Sequence, residues 1–200
     1  MSDTEGFDPA IGLLELDSIV AGIVAGDAMA KASPVSSLYA GTVHPGRYLV
    51  LVGGDTAAVE VALEAAGPTS VVDSLFLADV HPAVVAAFTT PEVAAPTLDD
   101  ALGVVELSTS AAAINAADAG VKAAAVSLPA LRLADDLGGK AYCLFTGAVA
   151  DVEAAVERAA GIVPGELLVA STVIPQLHEE MRDNLTAELR FNHHLRQGTV

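Results

Sequence analysis

Residues 11–31, IGLLELDSIVAGIVAGDAMAK, return as residues 102–122, LGVVELSTSAAAINAADAGVK, so the chain has to be read as two copies of one unit. Gly12, Glu15, Leu16, Ala21, Ile23, Ala25, Asp27, Ala28 and Lys31 reappear 91 residues on as Gly103, Glu106, Leu107, Ala112, Ile114, Ala116, Asp118, Ala119 and Lys122. A second block, residues 46–67, is answered by residues 139–161 at an offset two residues larger. A period of about ninety residues is too long for the roughly 20–50-residue repeats that stack into solenoids or propellers. It is the length of a small domain, duplicated, and each half is small enough to lean on the other.

The core of such a unit must be built from small aliphatic residues, because the chain is 52% hydrophobic but only 4% aromatic, with no Trp. Ala and Val bury little area apiece and bring backbones close together. The mean hydropathy of +0.52 is high, yet no run approaches the ~18 uninterrupted apolar residues of a membrane helix. The excess fits subunit contacts, which in permanent oligomers resemble a domain core. Nine basic against 26 acidic residues give −17, a charge that repels phosphate backbones and anionic lipid surfaces; neither nucleic acid nor membrane is an expected partner. One cysteine, Cys143, excludes an internal disulfide and fits a reducing compartment. The acidic start MSDTEGFD lacks the regions of a signal peptide, and an intracellular location is expected.

Taken in order, residues 1–10 are a leader, 11–88 the first unit, 89–101 a linker with two prolines, 102–181 the second unit and 182–200 a tail without equivalent in the first half. Residues 11–16 predict a strand and Asp17-Ser18 the cap of a helix running to about Ala32, with Ile19, Val20, Ile23 and Val24 as its buried face. Strands over 35–43 and 47–52 are joined through His44-Pro45-Gly46. Asp55-Thr56 caps a second helix that stops at Gly67, a strand follows over 74–80, and Pro82 opens a short helix. The second unit repeats the series, with its hairpin at residues 135–139, a helix from about Asp151 to Gly161, and Pro175 matched to Pro82.

Catalytic constellations are absent from the sequence: no GxSxG, no Walker loop, no CxxC, and five histidines (His44, His81, His178, His193, His194) without zinc-ligand spacing. Gly53-Gly54-Asp55 puts an acid where a bound anion would sit, and reads as a turn. Glu15 and Glu106, one per repeat in a strand beside a helix, read as satisfied structural carboxylates. An enzyme is not expected. A duplicated ferredoxin-like domain that binds a small molecule, or carries a metal or redox group as an oligomer, is the alternative these residues leave open.

The residues that repeat resemble the shell proteins of bacterial microcompartments. The resemblance rests on a G-x-x-E strand leading into a helix that ends D-A-x-x-K-A (Asp27 to Ala32, Asp118 to Ala123). A hairpin loop closed by Gly and a basic residue follows (Gly46-Arg47, Gly139-Lys140), then a strand and a turn into the second helix (Gly54-Asp55, Gly147-Ala148). It implies an α/β (α+β) fold of two tandem domains, antiparallel sheets flanked by helices, in direct rather than permuted order. It further implies a homotrimer forming a pseudohexameric tile in the shell, within the bacterial cytoplasm, whose partners are other shell proteins, encapsulated enzymes and small metabolites crossing a central pore.

On that resemblance the pore loops fall on His44, Pro45 and Gly46 and on Asp136, Leu137 and Gly138. The tile edge falls on Lys31, Lys122 and His178, where Gln176-Leu177-His178 stands for the R-P-H frequent in the family. The propanediol-utilisation branch looks most similar, through TVHPGR, but it carries cysteine where this chain has His44. That cysteine is the one associated with an iron–sulfur cluster, so no cofactor is expected here. Three His44 rings around an axis are the lesser expectation for a metal site.

Overall fold

The computed structural model describes residues 9–89, 98–99 and 101–187. Most of the expected leader and linker, and the tail beyond Ala187, lie outside them. The first unit runs β1 (Ala10–Leu16), α1 (Ile19–Ala32), β2 (Ser37–Val43), β3 (Arg47–Gly54), α2 (Thr56–Ala65), β4 (Val71–Leu77) and α3 (Pro82–Thr89). The second repeats it as β5 (Ala101–Leu107), α4 (Ser110–Ala123), β6 (Ser127–Arg132), β7 (Ala141–Gly147), α5 (Val149–Ile162), β8 (Leu168–Ile174) and α6 (Glu179–Ala187). Each unit forms an antiparallel sheet, in the orders β2-β3-β1-β4 and β6-β7-β5-β8.

Antiparallel sheets usually keep one face wet, and the strand then alternates apolar with polar. β1 does not alternate, and all seven of its residues are buried. Leu14 and Leu16 join Val50, Val52 and Val59 in the first unit's own core. Ile11 and Leu13, pointing the other way, belong to a larger cluster with Ala112, Ile114 and Val121 of α4. The two units therefore share a seam in which α4 lies against the outer face of β1 and β4, and α3 against α4 and β6. Gly12 explains the first position of the G-x-x-E pattern: a Cβ there would lie 2.8 Å from Leu63 and 3.0 Å from Val59 of α2. In the second unit Gly103 makes the same room for Val152 and Val156 of α5.

Several expectations need correction. The buried face of α1 is not Ile19, Val20, Ile23 and Val24, which are 43–73% exposed, but Gly22, Ala25, Gly26 and Met29. The small residues win the core side because Tyr48 leaves no room for more, its ring lying 2.4 Å from where a Cβ on Gly22 would sit. The equivalent face of α4, including Ala111 and Ile114, is buried in the seam. Only one of two similar helices thus has its apolar face covered within the chain.

Register corrects the end of each unit. Ile11 pairs with Leu77 and Leu102 with Ile174, so β4 and β8 correspond at an offset of 97. That is four beyond the offset of β3 and β7, as α5, with 14 residues against 10 in α2, requires. Pro175 therefore matches Ala78 rather than Pro82, and His178 matches His81. Each of these histidines accepts at Nδ1 from the amide two residues on, Ala83 (3.2 Å) or Glu180 (3.3 Å), in the first turn of its helix. The chain past residue 181 is not wholly without equivalent, since α6 continues to Ala187 as the copy of α3. β4 starts at Val71 rather than 74, directly after Ser70 turns the chain with φ 61. Gly161 lies inside α5, which ends ahead of Pro164, where the residue before proline is pushed out of the helical region.

Candidate functional site: the seam and the loops at its end

Glu15 is the polar centre of the seam. It is fully buried, receives Arg47 Nη1 at one carboxylate oxygen and, at the other, the backbone amide of Ser110 at 2.7 Å. Ser110 is the first residue of α4, so the carboxylate also faces the positive end of that helix. A buried charge persists only when paired and hydrogen-bonded, and both conditions are met here by groups from three places in the chain. Arg47 further reaches the Ser108 carbonyl at 3.4 Å. Thr109, which caps α4 by accepting from Ala112 at 3.2 Å, donates its hydroxyl to Asp73 of β4 at 2.5 Å.

At the other end of α4, Asp118 accepts the His81 amide at 2.8 Å, and Lys122 bonds both Asp118 (2.8 Å) and the Asp79 carbonyl. Lys122, expected at an edge, is thus engaged across the seam. Lys31 pairs with Asp27 at 2.6 Å, both well exposed. Glu106, the copy of Glu15, holds Lys140 at 2.6 Å with about a third of its side chain exposed. Both carboxylates are satisfied as structural groups, and the basic residue closing each hairpin is the partner in each case. Sequence reasoning missed that pairing, as it missed the bonds of Asp73, Thr109, His81 and Asp118. Ile11 and Leu13, apolar at outer positions of β1, were the available signal for the seam.

The two hairpin loops come together. His44 Nδ1 lies 3.9 Å from Asp136 Oδ1, both side chains about two-thirds exposed. Gly139 fits so closely on Pro45 that a Cβ would come within 2.9 Å of its Cδ. His44, Pro45 and Gly46 therefore neighbour Asp136, Leu137 and Gly138, as one polar edge of the pair of units. His178 is elsewhere, at the start of α6. Cys143 lies inside β7, fully buried, and burial pushes its thiol up to about 12. Among the described residues no group of three or more His, Cys, Asp or Glu side chains is arranged to hold a metal ion, and no helix is long and apolar enough to cross a membrane.

Comparison with known proteins fits this architecture. The BMC domain model matches residues 10–86 and again residues 101–177. The chain is 41% identical over 177 residues to the bacterial microcompartment shell protein PduT of Citrobacter freundii, covering 86% of this chain and 95% of that one. A stretch of 56 residues, 28% of this chain and 34% of the relative, is 50% identical to the shell protein EutK of Escherichia coli K12. A crystal structure of a microcompartment protein from Desulfitobacterium hafniense superposes with a TM-score of 0.75 at 39% identity, covering 87% of this chain and 98% of the other. With both sheets, the seam and the duplicated match in agreement, the chain belongs to the BMC-domain family of bacterial microcompartment shell proteins, with two such domains in tandem.

Proposed function

We propose that three copies of this chain close into a pseudohexameric tile of a microcompartment shell, in the bacterial cytoplasm, with the His44 and Asp136 loops alternating around a central passage. The observation that carries the reading is the placement of these two loops side by side, His44 within 3.9 Å of Asp136, by a seam that joins equivalent units through different surfaces. A contact of that kind is heterologous, and repeated around an axis it closes a ring. Three chains supply six units, and the loops then line the opening with imidazoles, carboxylates and the backbone of Gly138. Such a rim suits small polar metabolites. Other shell proteins at the tile's perimeter and enzymes enclosed behind it are the partners. Catalysis is not part of the role.

A cysteine-held iron–sulfur cluster does not fit this rim. Such clusters take thiolate ligands, the loop has His44, and Cys143 sits in the core of a sheet.

Light scattering on dilute protein should give about 60 kDa, three times the chain's 20.2 kDa. Electron microscopy of concentrated samples should show sheets, tubes or closed bodies. A chain that stays monomeric or dimeric at all concentrations sinks the tile.

A further inference from the structure

Because the two units are copies, changes that gather at one place in only one of them mark chemistry that the other lacks. Such a place is a cleft of about 330 Å³ between α4 and α5, whose walls include Asn115, Asp118, Ala119, Lys122, Arg158 and Ile162. Asp118, Ala119 and Lys122 belong to the repeated motif and stand as Asp27, Ala28 and Lys31 in the first unit. The other three do not repeat. Asn115 replaces Val24, and Arg158 replaces Ala65, the register of α5 on α2 being fixed by Val152 and Val156, which crowd Gly103 as Val59 and Leu63 crowd Gly12. Ile162 lies in the last turn of α5, past the residue that matches the end of α2. Three departures from the copy thus meet in one cleft.

Two of its polar groups are unspent. Asp118 and Lys122 bond each other at 2.8 Å and reach across the seam to the His81 amide and the Asp79 carbonyl, so their charges cancel. Arg158 and Asn115 make no side-chain hydrogen bond or ion pair with any described residue. In a chain of charge −17 the cleft therefore carries one uncompensated positive charge, the Arg158 guanidinium, whose planar fork of donors suits a carboxylate or a phosphate. Charge decides between them. One carboxylate balances the guanidinium, whereas the second charge of a phosphate would face Asp118 with no cation left to meet it. Beyond the polar end the walls are Ala119 and Ile162, and the volume lies at the small end of the roughly 300–1,000 Å³ of ligand sites. We infer that this cleft binds a small monocarboxylate with a short apolar chain, its carboxylate held by Arg158 and the Asn115 amide and its chain lying against Ala119 and Ile162. The site is complete within one chain and does not rest on the trimeric reading.

Butyrate titrated into the full chain, read by saturation-transfer proton NMR, should bind with a Kd on the order of 1 mM. Arg158→Gln, at an exposed position, should weaken it at least about tenfold. Ala119→Leu, which keeps the arginine and fills the cleft, should do the same, and so separates a seat in the cleft from plain attraction to a surface charge. Far-ultraviolet circular dichroism confirms that both variants are folded. Butyramide, which is uncharged, should bind at least about tenfold more weakly than butyrate, and equimolar inorganic phosphate should not displace it. Butyrate binding unchanged by either substitution, matched by butyramide, or displaced by phosphate overturns the assignment. So does an absence of butyrate binding; if Arg158→Gln then also lowers the sedimentation coefficient of concentrated protein, the guanidinium holds an acidic side chain of another copy instead. None of these outcomes bears on the tile, which the mass of the dilute protein tests separately.

Discussion

At the scale of single residues, the two copied carboxylates show how one motif comes to different energies in different surroundings. Glu15 is wholly buried, so Arg47→Ala would strand its charge; the expected loss is about 3–5 kcal/mol of unfolding free energy. Lys140→Ala, measured by the same urea titration on dilute single chains, should cost only about 0–1 kcal/mol, because Glu106 is partly solvated there. Equal losses would contradict the assigned difference in burial. Cys143 makes a second case. Its thiol is raised from 9.0 to about 12 by burial, so the folded chain keeps the proton where the unfolded chain releases it. The stability this lends is complete below pH 9 and is lost as pH rises from 9 towards 12. Cys143→Val, which installs the residue of the first unit at Val50, should flatten that part of the stability–pH curve relative to wild type. The sequence announced both carboxylates as structural by repeating them, and placed Cys143 in a strand through its alignment with Val50. It did not announce their partners, since Arg47 and Ser110 approach Glu15 from 32 and 95 residues away.

At the level of elements, the choice of which face of helix α1 meets the sheet is decided by packing. An apolar stripe at helical spacing normally marks the core side, and on that rule Ile19, Val20, Ile23 and Val24 belong inside. The rule fails because this helix has two apolar faces, and the sheet beneath accepts only the one made of Gly22, Ala25, Gly26 and Met29. Close packing decides between them through paired changes of size in the two copies. Gly22 lies under Tyr48, where the second unit has Ala113 and Ala141; Gly120 lies under Phe145, where the first has Met29 and Val52. Gly22→Ala should therefore destabilise by about 1–3 kcal/mol despite the better helix propensity of Ala. Combined with Tyr48→Ala it should be less harmful than the two losses added, with a coupling of about 1 kcal/mol or more in a double-mutant cycle. Strict additivity would mean that the two side chains do not compete for one space. Element types and order were legible from periodicity and from Gly, Pro and cap residues. The ends of β4 and α5 were not, because Ser70 and Pro164 set them through backbone geometry that propensity does not register.

For the whole molecule, the charge of −17 opposes any assembly of like copies. Screening should relieve it: raising salt from about 0.01 M to 1 M shortens the Debye length from about 30 to 3 Å. Association of the chain should strengthen accordingly, and strengthen again as pH falls towards the isoelectric point near 4.3, read as sedimentation coefficient or turbidity. Assembly weakened by salt would instead assign the dominant role to ion pairs formed between chains. Duplication, and the family it resembles, were visible in the sequence at once. The seam was not, because a strand with apolar residues on both faces says only that something covers it, and the cover lies about a hundred residues away.

A contact made within one polypeptide has a kinetic character that the same contact between polypeptides lacks. The seam buries Ile11, Leu13 and Leu75 of one unit against Ile114 and Val121 of the next, and the backbone connecting the units holds them at a fixed effective concentration. It closes as a first-order event, at a rate blind to how much protein the cell has made, and no dilution reopens it. A chain cut between the two units would have to find its other half by diffusion, and would wait with Glu15 and the outer face of β1 in water.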